Sequence, residues 1–123
     1  MMPALKRLLP AALWLVVIFI LTSLPAPVLP EVRFRHADKL IHFAIYLPLG
    51  FLLARAFRER GARALLYAAA LCLAAASCDE LHQILVPGRS ADILDLLADL
   101  AGGLAGAALF LAARRPGQAR PPG

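Results

Sequence analysis

Four long apolar runs, separated by short polar breaks, set the reading of this chain. The first extends from Leu8 to Leu24 and the second from Leu40 to Phe57. The third covers Ala64 to about Val86 and the fourth Ala91 to Ala113. Each approaches the roughly 20 residues that a helix needs to cross a bilayer. The breaks carry turn chemistry. Thr22-Ser23-Leu24-Pro25-Ala26-Pro27 stops the first run, and a Pro-rich linker continues from Pro25 to Ala37. Gly61 lies among Arg58, Arg60 and Arg63, and Pro87-Gly88 marks a sharp turn. Pro48 and Gly50 should kink the second helix, a break that neighbouring helices can accommodate. The first run could also be read as a cleaved signal peptide. It is long for that purpose and lacks a clean cleavage motif.

The pattern predicts an all-α integral membrane bundle of four transmembrane helices over residues 1–115, followed by a disordered basic Pro/Gly tail over 116–123. Composition agrees. Of 123 residues, 61% are hydrophobic and 17% charged. A water-soluble domain of this size has too little interior for so many Leu, Ala, Val and Phe side chains. The net charge of +5 does not point to nucleic acid, because Lys and Arg sit at the ends of the apolar runs. It points to topology. With both termini in the cytoplasm, the inside holds nine basic residues: Lys6, Arg7, Arg55, Arg58, Arg60, Arg63, Arg114, Arg115 and Arg120. The outside holds four: Arg33, Arg35, Lys39 and Arg89. The positive-inside bias favours this orientation in a bacterial plasma membrane. Cys72 and Cys78 lie six residues apart, about 9 Å along one helix, and cannot bridge within it.

The acids follow a different rule. Only Glu59 falls on the expected inner side. Glu31, Asp38, Asp79, Glu80, Asp92, Asp95 and Asp99 fall in the outer half. Ionisable groups at membrane depth are costly and mark functional interiors by default. Asp92, Asp95 and Asp99 recur at i, i+3 and i+7, on one helix face that Gly102, Gly103 and Gly106 continue. Asp38, His42 and Tyr46 form a second stripe that Gly50 extends, and Asp79, Glu80 and Gln83 form a third. Three stripes at one depth are most simply packed facing each other. Simpler roles compete. Asp38 and Lys39 suit a helix start in the headgroups, Asp92 suits an N-cap, and Tyr46 suits ordinary packing. Asp79, Glu80 and Asp99 lie deeper and are harder to dismiss.

Asp38-Lys39-x-x-His42-Phe43, Glu80-x-x-Gln83, Pro87-x-Arg89-x-x-Asp92-x-x-Asp95 and Gly102 together resemble the signature of VanZ-like membrane proteins over roughly residues 10–113. The resemblance implies Asp38, His42, Glu80, Gln83, Arg89, Asp92 and Asp95 as site positions. It also implies a link to resistance against teicoplanin, a glycopeptide antibiotic that acts on the cell wall outside the membrane. The chain departs from the pattern at Asp99, where Asn is expected.

The ligand-binding set is therefore Asp38, Lys39, His42, Asp79, Glu80, Gln83, Arg89, Asp92, Asp95 and Asp99. The expected partners are membrane lipids, with a cell-wall precursor or glycopeptide and further copies of the chain as open alternatives. Nucleic acid is not expected. Lys39 and Arg89 would meet phosphate, while the acid–His cluster would position them or hold an amine. An enzyme acting on a lipid-linked phosphate is the alternative, with His42 and Asp38 or Glu80 as acid and base. No Ser or Cys nucleophile is evidently paired with a base. Proton or cation conduction would need several copies. A divalent ion at His42, Glu80, Asp95 and Asp99 is chemically reasonable. That spacing matches no recognised metal motif, so no metal and no cofactor enter the expectation.

Overall fold

The structure, a computed structural model, describes residues 4–23, 37–88 and 91–114. Among the described residues four α-helices run up and down: α1 (Ala4–Thr22), α2 (Ala37–Ala56), α3 (Arg63–Gln83) and α4 (Ile93–Ala113). Each is long and apolar enough to cross a membrane, over Leu5–Thr22, Asp38–Ala56, Arg63–Gln83 and Ile93–Ala113. The protein is a membrane helical bundle. Large apolar side chains such as Leu5, Leu13, Leu40, Leu66, Leu73, Leu97 and Leu109 are exposed around the outside. In water so much exposed apolar surface would be a liability, and in a bilayer it meets acyl chains.

The expected runs and the observed helices differ at their ends. Helix α1 begins at Ala4 and passes through Pro10. Its stop is where the sequence placed it: Ser23 Oγ donates to Phe19 O at 2.5 Å, and Thr22 Oγ1 lies 2.9 Å from Ile18 O. Helix α2 continues through Pro48 to Ala56. Helix α3 ends at Gln83 rather than Val86, closing with short bonds from Leu85 N to His82 O and Val86 N to Gln83 O. Helix α4 begins at Ile93, with Asp92 as its N-cap. Gly61 and Gly88 both have positive φ, 60° and 76°, as turns at those two points require. The Pro-rich linker up to residue 36 and the basic tail lie outside the described residues.

Packing follows the small residues. Helices α2 and α4 make the most extensive contact in the bundle. A Cβ on Gly50 would fall on the Gly103 carbonyl, and one on Gly106 on the Leu47 carbonyl. A Cβ on Gly102 would meet the Phe43 carbonyl. Glycine at these positions lets two backbones touch, the usual way helices associate where no hydrophobic effect drives them together. On α3 the buried face reads Ala64, Ala68, Cys72 and Ala76 at four-residue intervals, and Cys72 sits against Gly103. Both cysteines are free, Cys72 buried and Cys78 exposed. Helix α1 is tied on by the Trp14 indole N–H, which donates to Ile45 O at 2.7 Å.

The two ends of the bundle differ in character. At one, Arg7 pairs with Glu59 at 3.2 Å and Arg114 donates to Arg58 O at 2.8 Å. At the other, the polar stripes of α2, α3 and α4 end together.

Candidate functional site

The site is built at the starts of α2 and α4 and the end of α3. Lys39 lies at its mouth, on the first turn of α2. Its ammonium lies 2.7 Å from Asp38 Oδ2, 2.7 Å from Asp92 Oδ2 and 2.7 Å from Asp95 Oδ1. Of the three N–H donors of an ammonium, two bond Asp38 and Asp92, and Asp95 faces the charge as an ion pair. The expectation for Lys39 is phosphate; here its ammonium lies among acids from its own helix and from α4.

Asp92 has two roles. Its Oδ1 accepts from Leu94 N at 2.9 Å, capping α4, while Oδ2 meets Lys39. Lys39 and then the Leu94 N–H hold the Asp92 carboxyl below its ordinary range. The backbone N–H of Asp92 donates to Glu80 Oε2 at 2.8 Å, so α3 grips the first turn of α4.

One turn below Lys39, His42 is buried between two acids of α4. Its Nδ1 lies 2.7 Å from Asp99 Oδ1, and Nε2 lies 3.8 Å from Asp95 Oδ2. Glu80, Asp95 and Asp99 are all buried, Asp99 completely. Tyr46, another turn down the α2 stripe, is completely buried among Asp79, Glu80 and Asp99. Among the described residues the Tyr46 hydroxyl, Glu80 Oε1, Gln83 Nε2 and Asp99 Oδ2 are buried without a hydrogen-bond partner. Buried polar atoms are normally satisfied, so four in one place mark an interior that the chain alone leaves incomplete.

The structure thus brings together Asp38, Lys39, His42, Glu80, Asp92, Asp95 and Asp99. Gln83 is buried on the same α3 face. Arg89 lies outside the described residues. Asp79 faces partly elsewhere: Thr22 Oγ1 donates to its Oδ1 at 2.5 Å, linking the cluster to α1. The sequence reading took Thr22 only as a stop signal. A hydroxyl one helix length from an acid cluster carries no pairing information until the helices are placed.

A second pairing was also missed. Ser23 Oγ lies 2.8 Å from His82 Nε2 at the exposed edge. A serine–histidine contact invites a nucleophile reading. However, the single Ser23 hydroxyl proton points to Phe19 O at 2.5 Å, leaving Oγ to accept from the imidazole. In that arrangement His82 donates, and does not act as a base.

A model of the VanZ/LLP1 family matches residues 7–114, which take in α1 from Arg7, the whole of α2, α3 and α4, and every residue of the cluster. The chain belongs to the VanZ/LLP1 family. No curated protein and no solved structure matches it. In this VanZ/LLP1 chain the polar blocks separated in sequence meet at one end of the bundle. The residue that departs from the expected pattern, Asp99, is the innermost partner of His42.

Proposed function

We propose that this VanZ/LLP1 protein binds the headgroup of a membrane lipid or lipid-linked envelope precursor, with the acid–His cluster opening to the outer leaflet. The observation that carries the reading is the charge imbalance at that end. Six carboxylates, of Asp38, Asp79, Glu80, Asp92, Asp95 and Asp99, gather around one ammonium and one imidazole, with Asp79, Glu80, Asp95, Asp99 and His42 buried. Such an excess of acids at the membrane boundary favours a cationic guest. An amine-bearing headgroup fits better than a bare phosphate, because Lys39 is already surrounded by acids. Arg89, carried by the family resemblance, remains the residue to meet a headgroup phosphate.

The outward orientation rests on the positive-inside bias, which puts the Arg7, Arg58 and Arg114 end in the cytoplasm. A protein that holds headgroups or precursors in the outer leaflet stands where a glycopeptide must approach its target. That position would link it to teicoplanin resistance.

The test is a susceptibility assay with teicoplanin on cells expressing the wild-type chain, Glu80→Gln or Arg89→Ala, beside melting temperatures of the purified proteins. Glu80→Gln keeps an acceptor for Asp92 N and removes a buried charge, so its stability should be equal or higher. Protection by wild type that disappears in Glu80→Gln at retained stability supports the reading. Full protection by both variants overturns it.

A further inference from the structure

We propose that His42, Glu80 and Asp99 form a binding site for a divalent transition-metal ion, Mn2+ or Zn2+, in the inner layer of the cluster. The residue types make a divalent ion chemically reasonable, but no recognised sequence motif offers a reason to expect one. The reason is spatial. One ligand atom from each of these three buried residues lies within 4.8 Å of the others. They come from three helices, His42 on α2, Glu80 on α3 and Asp99 on α4, so no sequence spacing encodes the set.

Acidic residues in proximity are common and do not make a metal site. Two further observations do point to a guest. Asp99 Oδ2 and Glu80 Oε1 are each buried without a hydrogen-bond partner among the described residues, although both belong to side chains more than nine-tenths buried. Each residue thus uses one oxygen inside the protein and holds the other buried without a hydrogen-bond partner. Asp99 Oδ1 engages His42 and Glu80 Oε2 engages the Asp92 N–H. The Tyr46 hydroxyl, completely buried and also without a partner, lies among the same carboxylates and can bond a ligand oxygen or an ion-bound water.

The donor set selects the ion. Mg2+ and Ca2+ prefer oxygen donors alone, whereas an imidazole with two carboxylates suits Mn2+ and Zn2+. Bonds of about 2.0–2.2 Å place donors roughly 3 to 4.3 Å apart. At most one of the three pairs can take the longest of these separations, so from within 4.8 Å the groups need to close by up to roughly 1 to 2 Å through side-chain torsions. Asp95 Oδ2, 3.8 Å from His42 Nε2, is placed to orient the imidazole or to enter as a fourth ligand. Two positive charges at this point would offset the buried acids that Lys39, one layer out, does not reach.

The proposal does not depend on headgroup binding, and its test contains no lipid variable. The purified full-length chain, stripped with chelator and dialysed, is titrated with MnCl2, ZnCl2 or MgCl2 alone, and retained metal is counted. The expected result is about one Mn2+ or Zn2+ retained per chain and no comparable retention of Mg2+. Affinity should fall at least tenfold in Glu80→Gln and in Asp99→Asn, with helical content unchanged. Glu59→Gln, at the opposite end of the bundle, should keep the wild-type affinity. Pulsed EPR of the Mn2+-loaded wild-type chain requires no variant and should show coupling to an imidazole nitrogen. No uptake by wild type, Mg2+ retained as well as Mn2+ or Zn2+, unchanged affinity in either inner-layer variant, tenfold loss in Glu59→Gln, or no nitrogen coupling would each overturn the proposal.

Discussion

His42 Nδ1 and Asp99 Oδ1 lie 2.7 Å apart, joining α2 to α4 at the depth where the polar stripes give way to glycine. Asp99 is completely buried and His42 nearly so. Removing one partner leaves the other buried and unsatisfied, which costs about 1–3 kcal/mol. Asp99→Ala should therefore lower the melting temperature in detergent clearly. Asp99→Asn retains an acceptor for the ring N–H and should cost under about 1 kcal/mol, near the average for an interhelical bond in membranes. Thermal unfolding of the two variants side by side checks the order. Equal losses would mean that the contact contributes only shape.

Gly50 and Gly106 should tolerate no side chain. The added Cβ would meet the backbone of Gly103 or Leu47, which has no rotamer by which to move aside. Gly50→Ala or Gly106→Ala should cost about 1–3 kcal/mol or more, as overpacking does. Leu104→Ala, at a partly exposed position of α4, should cost less. A melting series in one detergent decides whether the α2–α4 contact holds the bundle as described.

How much of this was visible in the sequence depends on which residues are asked about. The Asp92–Asp95–Asp99 stripe and its glycine continuation were legible, because helical periodicity fixes a face before any neighbour is placed. That Gly50 would meet Gly103 could be anticipated as small residues facing small, though not as that pair. The triple pairing of Lys39 was not legible. Its acids come from α2 and α4, and their distances depend on the relative rotation and depth of two helices. Thr22 and Ser23 read as a helix stop and are one, yet each also bonds to an α3 side chain. Asp79 was grouped with Glu80 by angle alone, and the position of α1 draws it toward Thr22. The residue types of the His42–Glu80–Asp99 set suit a divalent ion, but spacing along the chain lends it no support because the three lie on different helices.

Asp92 gives the bundle a pH dependence of predictable sign. Its carboxyl is lowered in the folded state from an ordinary value of 3.8, by Lys39 and the Leu94 N–H. The unfolded chain therefore binds the proton more readily, and stability rises with pH wherever the unfolded state holds more protons. The contribution is fully present above the ordinary value and is lost as pH falls through the lower, folded one. Wild type should melt above Asp92→Asn at neutral pH, and the gap should close below about pH 4. A gap that persists unchanged into strong acid would refute the assignment.

The orientation has its own test. A reporter active only outside the cytoplasm, fused after Arg115, should be silent, and the same reporter inserted at Pro87-Gly88 should be active. Strong activity after Arg115 would turn the cluster toward the cytoplasm.

The central claim is that an acid-rich cluster at the membrane boundary receives a cationic headgroup. Its most direct measurement is retained lipid, by native mass spectrometry, after exposure to equal amounts of phosphatidylethanolamine and phosphatidylglycerol. Wild type should retain the amine-bearing lipid with at least tenfold preference, and Glu80→Gln should lose most of that preference while melting no lower. Equal retention of the two lipids by wild type, or a preference undiminished in Glu80→Gln, would contradict the account.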